Sequence, residues 1–295
     1  MERMLRDKKA IALFILPAII VYMFIVFVPI IWSGVYTFFD GVPGINFNYT
    51  GITNFTKLFT DRLFWQSLLT NLKYVGVVVT GQIILGLLVS FLLLFGIKRY
   101  NILARTIIFF PVVLPTVAVA QLFVKIYEIA PQYGLINSIL RVLRLDFLIQ
   151  PWLGQPQTAL WAICIADIWR AMGFYAIIFY VALIDVKEEI IEAARLDGAS
   201  GFALVRHILL PLIKPIIGVA LVLSVTGTLK VFESIVAMTA GGPGTSTNTL
   251  TIYMYNLAFR YGKYGYGSTV AIFILIECLV FALLINKLFL KDDAA

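Results

Sequence analysis

Long apolar runs, rather than alternation, organise this chain. No charged residue occurs between Ala10 and Phe39, between Tyr74 and Ile97, or between Thr106 and Val124. Thr158 to Ile184 is interrupted only by Asp167 and Arg170, Pro215 to Ala240 only by Lys230 and Glu233, and Tyr264 to Asn286 only by Glu277. A helix rises about 1.5 Å per residue, so about 20 mostly apolar residues cross the hydrocarbon of a bilayer. Six spanning helices are predicted, at about residues 10–39, 74–97, 104–126, 158–184, 212–238 and 264–288. The first run is too long for a secretory leader and no small-x-small cleavage site follows it, so it is expected to stay as a span.

Composition agrees. Of 295 residues 61% are apolar and 13% charged, against about 45–50% and about 25% in a soluble domain. Mean hydropathy is +0.96. These values exclude a disordered chain, a fibrous repeat and an ordinary soluble enzyme, and leave an all-α polytopic membrane protein. The net charge of +7 would suit nucleic acid, but its placement points elsewhere. With the N-terminus inside, thirteen Lys and Arg fall on the inner side, Arg3, Arg6, Lys98 and Lys291 among them, and seven on the outer side. Positive residues collect on the cytoplasmic side, so both ends are expected in the cytoplasm and a nucleic-acid partner loses its motivation. The stretches outside the spans (40–73, 125–157 and 185–214) are too short to fold alone. Residues 1–295 are therefore expected to form one membrane domain. Cys164 and Cys278 lie in apolar segments and make no disulfide framework.

The inner loop at 185–214 has a pattern of its own. Asp185 with Glu188 fits a capping box, Ile190, Ile191 and Ala194 share one helical face, and Gly198 stands where a helix must stop with positive φ. Ser200 can cap a second helix carrying Leu204, Ile208 and Leu209, and Pro211 and Pro215 lead into the fifth span. A helix–turn–helix is predicted, and an amphipathic pair resting on lipid headgroups is the plain alternative.

The spacing in this loop is specific. Glu192-Ala193-Ala194, three residues, Gly198, nine residues, Ile208, one residue, then Leu210-Pro211 resembles the EAA loop of ATP-binding-cassette (ABC) importer permeases. Other stretches resemble carbohydrate-uptake permeases related to the maltose-type first subunit: Asn54-Phe55 with Leu58, Asp61, Phe64-Trp65 and Asn71; Phe110-Pro111 with Leu114-Pro115; Ile168-Trp169 with Gly173-Phe174; and Gly241-Gly242-Pro243-Gly244. The resemblance covers about residues 50 to 275. It implies a type I ABC importer fold in the inner membrane, and a translocation path shared with a second, homologous permease in a heterodimer. Two ATPase subunits would bind ATP and Mg, an extracytoplasmic solute-binding protein would deliver a sugar, and this chain would hold no cofactor. It also implies a coupling helix that docks on an ATPase, with Glu192, Ala193, Ala194, Asp197, Gly198, Ile208, Leu210 and Pro211 as its residues. No GxxxxGK[ST] phosphate loop occurs in the chain, so nucleotide hydrolysis is expected in another polypeptide and no catalytic residue is assigned here.

Charges within spans are costly and face a water-filled cavity or one another. Asp167 and Arg170 are three apart, as are Lys230 and Glu233, which on a continuous helix puts each pair on one face. Each pair either neutralises itself between helices or lines the transport path. The family resemblance places Asp167, Trp169, Arg170 and Phe174, and then Thr228, Lys230 and Val231, along the path, and Glu233 joins them as a charge within the fifth span. Relatives use uncharged groups there. Charges in their place suit an acidic sugar or a phosphorylated polyol as an alternative cargo. Glu277 receives no role. His207 has no Cys or His at ligand spacing, so no metal site is expected. An ion-coupled secondary transporter would want paired repeats and an intramembrane enzyme a nucleophile with its base; neither pattern is found.

Overall fold

The computed structural model describes residues 8–97 and 99–289. Arg3, Arg6, Lys98 and Lys291, used above for orientation, lie outside them. The main elements in chain order are α1 (Ile11–Tyr36), β1 (Phe39–Asp40), β2 (Asn48–Tyr49), α2 (Thr53–Thr60), α3 (Arg62–Gly96), α4 (Asn101–Val113), α5 (Thr116–Ile126), α6 (Leu135–Val142), α7 (Ala159–Ile184), α8 (Glu188–Leu196), α9 (Gly201–Leu212), α10 (Lys214–Leu229), α11 (Glu233–Met238), α12 (Leu250–Tyr255) and α13 (Tyr264–Phe289). Helices α1, α3, α7 and α13 are each long and apolar enough to cross a membrane. The pairs α4–α5 and α9–α10 pass the same test only together, and they bend by 97° and 69°. The described residues thus give four spans, or six when each bent pair is one.

Proline explains where the bends fall. Leu114 precedes Pro115 and is extended (φ −71°, ψ 140°), as the residue before proline prefers to be. Pro115 itself has ψ 134°, so α4 ends and α5 starts in a new direction. Pro211 and Pro215 bracket the second bend at Ile213, and each lacks the amide that would continue the ladder. A third interruption was not foreseen. The expected span 212–238 stops at Leu229, and Phe232 leaves helical geometry (φ −140°, ψ −58°) before α11 begins.

The chain divides into two compact units, residues 1–64 with 253–273, and residues 65–252 with 274–295. In the first, β1 and β2 pair antiparallel with Phe39 opposite Tyr49. Asn54 on α2 is buried and donates to the carbonyls of Thr37 (2.9 Å) and Phe39 (2.7 Å), which fixes the hairpin base. Asp61 accepts hydrogen bonds from the Tyr253 and Tyr266 hydroxyls on Oδ2, and its other oxygen takes the Leu63 amide at 2.8 Å. Phe64 packs edge-on against Phe273. Burial opposes ionisation of Asp61, but these donors outweigh it and hold the carboxyl below the ordinary carboxylate range. Burial pushes the Tyr253 hydroxyl up, and so does its bond to Asp61.

The second unit holds the core. Val75, Val78, Val79 and Ile83 make one stripe along α3 at helical spacing. They pack with Val119, Ala120 and Phe123 of α5, Ile163, Cys164 and Phe179 of α7, and Ala220, Val225 and Leu229 of α10. In lipid the apolar effect between helices is small, so close packing and interhelical hydrogen bonds carry the association. Gly173 shows how close: a Cβ there would stand 2.0 Å from the Ile108 carbonyl oxygen of α4.

Candidate functional site

Buried polar bonds in the second unit radiate from one face of α3. Asn71 Nδ2 donates to the Leu229 carbonyl at the end of α10 (3.3 Å). One turn on, Tyr74 Oη donates to Asp167 Oδ2 on α7 (2.6 Å). Two turns further, Gln82 Nε2 donates to the Asp167 carbonyl (3.5 Å), and Gln82 Oε1 accepts from Ser224 Oγ on α10 (2.7 Å). Hydrogen-bonding side chains recurring at positions 71, 74 and 82 tie α3 to the two helices that flank the 185–214 loop.

The bonds of Tyr74 and Gln82 border a cavity of about 340 Å³. Asp167, Arg170, Thr228, Lys230, Val231 and Glu233 all line it. Asp167 is only 5% exposed, and its second oxygen faces Arg170 Nε at 3.7 Å. Thr228 is buried and spends its hydroxyl on the Ser224 and Val225 carbonyls. Lys230 and Glu233 are exposed to the cavity and form no ion pair with each other. Their three-residue spacing implied a shared face, but that rule needs a continuous helix. Lys230 caps the end of α10, while Glu233 starts α11.

Two expected residues are not in the lining. Trp169 sits about 200° around α7 from Asp167 and meets Phe123 edge-on (5.5 Å between rings). Phe174 packs against Tyr175 (5.2 Å). The aromatic surface of the cavity is instead Tyr74, Tyr175 and Phe232, and Gln82, Thr116, Ser224 and Ser234 add polar groups. Gln82 and Ser224 carried a signal, since uncharged polar groups inside apolar runs need internal partners. Thr116 carried none, because it reaches the cavity only through the bend at Pro115.

The 185–214 loop forms α8, a turn and α9. Gly198 has φ +86°. Its amide bonds the Arg195 carbonyl (3.0 Å) and the Ala199 amide bonds the Ala194 carbonyl (2.8 Å), the paired bonds of a Schellman turn. Ser200 holds the N-cap position of α9, but its side chain makes no capping hydrogen bond. The capping box expected at Asp185 and Glu188 does not form. Asp185 closes α7, with its amide on Val181, and Lys187 occupies the N-cap of α8. Ala194, Leu204, Leu209 and Ile213 are buried against Leu183, with Ile208 and Leu210 packed at the edge. Glu192, Ala193, Asp197 and Pro211 are exposed, as are Leu196 (89%) and Phe202 (75%). Among the described residues no group of three His, Cys, Asp or Glu side chains could hold a metal ion, and His207 Nδ1 lies 3.1 Å from the Ala203 carbonyl.

Bent spans around a polar cavity, beside a helix pair that exposes two large apolar side chains, are the features of a multi-pass transport permease. The chain belongs to the family described as binding-protein-dependent transport system inner membrane component, which matches residues 82–291. A probable ABC transporter permease of Bacillus subtilis, YurN, is 32% identical over 97% of this chain and 98% of its own length. The trehalose/maltose transport system permease of Thermococcus litoralis is 32% identical over 96% of this chain and 94% of its own. Among solved structures, a bacterial ABC transporter involved in the import of the acidic polysaccharide alginate is similar, with 25% identity, a TM-score of 0.84 and coverage of 99% of this chain and 98% of that one. The architecture is the type I ABC importer permease fold.

Proposed function

We propose that this chain forms half of the translocation path of an ATP-driven importer of sugars or oligosaccharides. The carrying observation is the cavity lined by Arg170, Lys230, Glu233, Tyr175 and Phe232. It offers the hydrogen-bond donors, acceptors and aromatic faces that a polyol requires, within a chain similar to a trehalose/maltose permease. A second, homologous permease would supply the other half as a heterodimer. An extracytoplasmic solute-binding protein would present the sugar. Two ATPase subunits would bind ATP and Mg, and the assembly would sit in a bacterial or archaeal plasma membrane.

The helix pair at 188–212 is proposed as the coupling element. Glu192 offers the polar contact, Ala193 and Ala194 allow close approach, and Gly198 sets the turn. Ile208, Leu210 and Pro211 join the pair to α10, so motion of an ATPase groove would reach the cavity through α7 and α10. The test is reconstitution. With the second permease, the ATPases and the binding protein, the chain should drive ATP-dependent uptake of a labelled sugar into proteoliposomes, and alone it should neither transport nor hydrolyse ATP. ATP-independent, ion-driven uptake by the chain alone would overturn the reading.

A further inference from the structure

The four charged side chains at the cavity are in three different states. Asp167 is nearly buried, and its carboxylate is occupied by the Tyr74 hydroxyl on one oxygen and faced by Arg170 on the other. It is not free to bind cargo, and its place in the site is to hold Arg170. The Arg170 side chain remains 27% exposed and lines the cavity, and its buried Nε–H has no acceptor. Lys230 and Glu233 line the cavity with no counter-ion. The N-terminus of α5 also opens here. Thr116 lines the cavity, and the first amide bonded within this helix is that of Val119, to the Pro115 carbonyl. The free amides ahead of it add a partial positive charge.

We infer that the cavity recognises a sugar unit bearing one carboxylate, with Arg170 and Lys230 receiving the acid group and Glu233 accepting ring hydroxyls. The inference rests on the sugar-permease reading above and narrows its substrate class. Entry of cargo strips water from both cations. A neutral sugar returns only dipolar hydrogen bonds, whereas a carboxylate returns charge-assisted ones, about twice as strong, and can meet a guanidinium in fork geometry. Glu233 decides against a phosphate ester. Such a group carries about −1.5 to −2 charges at neutral pH, and a carboxylate on the same wall would repel it more than it would a single charge. At about 340 Å³ the space suits one small ligand unit at a time.

The test uses the purified importer complex without its binding protein, so that selectivity outside the permease does not intervene. Galacturonate, galactose and acetate are titrated at constant ionic strength while thermal stability is followed. Galacturonate should bind at least about tenfold more tightly than galactose, and acetate should give no shift. Lys230→Gln and Arg170→Gln should each weaken galacturonate about tenfold or more, and by a larger factor than they change galactose. Lys230 is exposed, so its variant stays informative if the Arg170 variant misfolds. Equal affinity for the two sugars, or galacturonate binding untouched in Lys230→Gln, overturns the inference and leaves the sugar-permease reading intact. Binding of neither sugar, together with no sugar uptake by the reconstituted importer, overturns both.

Discussion

Tyr74 and Asp167 are joined by a 2.6 Å hydrogen bond that spans ninety-three positions of sequence and closes one side of the cavity. The acceptor is a buried carboxylate, so loss of the donor costs more than an average bond. Tyr74→Phe keeps the ring and removes only the hydroxyl. It should lower stability by about 1–3 kcal/mol, read as a lower unfolding midpoint of the purified protein. Combined with Asp167→Asn, the losses should be less than additive, because both changes break one interaction.

The turn at Gly198 is strained for any side chain, although a Cβ would meet nothing within 4 Å. Space is available and the φ of +86° is the obstacle. Gly198→Asp and Gly198→Val should reach the membrane in normal amounts and lose uptake. Gly198→Asn, a residue that visits left-handed geometry more readily than valine, should retain more uptake than Gly198→Val. Wild-type uptake in Gly198→Val would remove the coupling role from this loop.

Leu196 and Phe202 are exposed on the proposed coupling element, so changing them alters a contact surface rather than a core. Leu196→Asp and Phe202→Asp should leave the unfolding midpoint unchanged. Both should sharply reduce the ATPase recovered when the permease is pulled down from membranes.

Gly173 tests helix packing. An alanine there must push α7 away from the Ile108 carbonyl, 2.0 Å from the new methyl. Overpacking of this kind costs about 1–3 kcal/mol. Gly173→Ala should therefore give a lower yield of folded protein and an earlier unfolding midpoint.

Asp61 gives a pH dependence with a definite sign. Its folded carboxyl titrates below the ordinary 3.8, so the folded state binds fewer protons than the unfolded chain in that acid window. The stabilisation is fully present above the ordinary value and is lost as pH falls through the lower, folded one. Asp61→Asn should be less stable than wild type near neutrality. The gap should narrow below about pH 3.8, as followed by unfolding midpoints across pH.

The fold was legible because lipid imposes one rule on the whole chain. Backbone groups without water must bond within their own helix, so charge-free runs of sufficient length announce themselves. The loop signature was legible because its residues serve local geometry: Gly198 carries the positive φ and Ala194 is the buried small residue at the turn. The segment from Asn54 to Asn71 reads as a motif for a similar reason. Asn54, Leu58, Phe64 and Asn71 are all nearly buried and Asp61 is tied to two tyrosines.

The cavity was only half legible. Asp167, Arg170, Lys230 and Glu233 stood out, because a charge inside an apolar run is conspicuous. Their states did not. Which carboxylate is consumed depends on Tyr74, a residue with no mark of its own in sequence. Whether Lys230 and Glu233 face each other depends on a helix break at residues 230–232, where no glycine or proline stands. The sequence by itself determined the long apolar helices, the helix–turn–helix of the 185–214 loop and the supply of charge within the apolar runs. Tertiary structure alone decided which charges are spent and which remain free, because pairing depends on the meeting of α3, α7 and α10, and that meeting is set by packing between residues far apart in the chain.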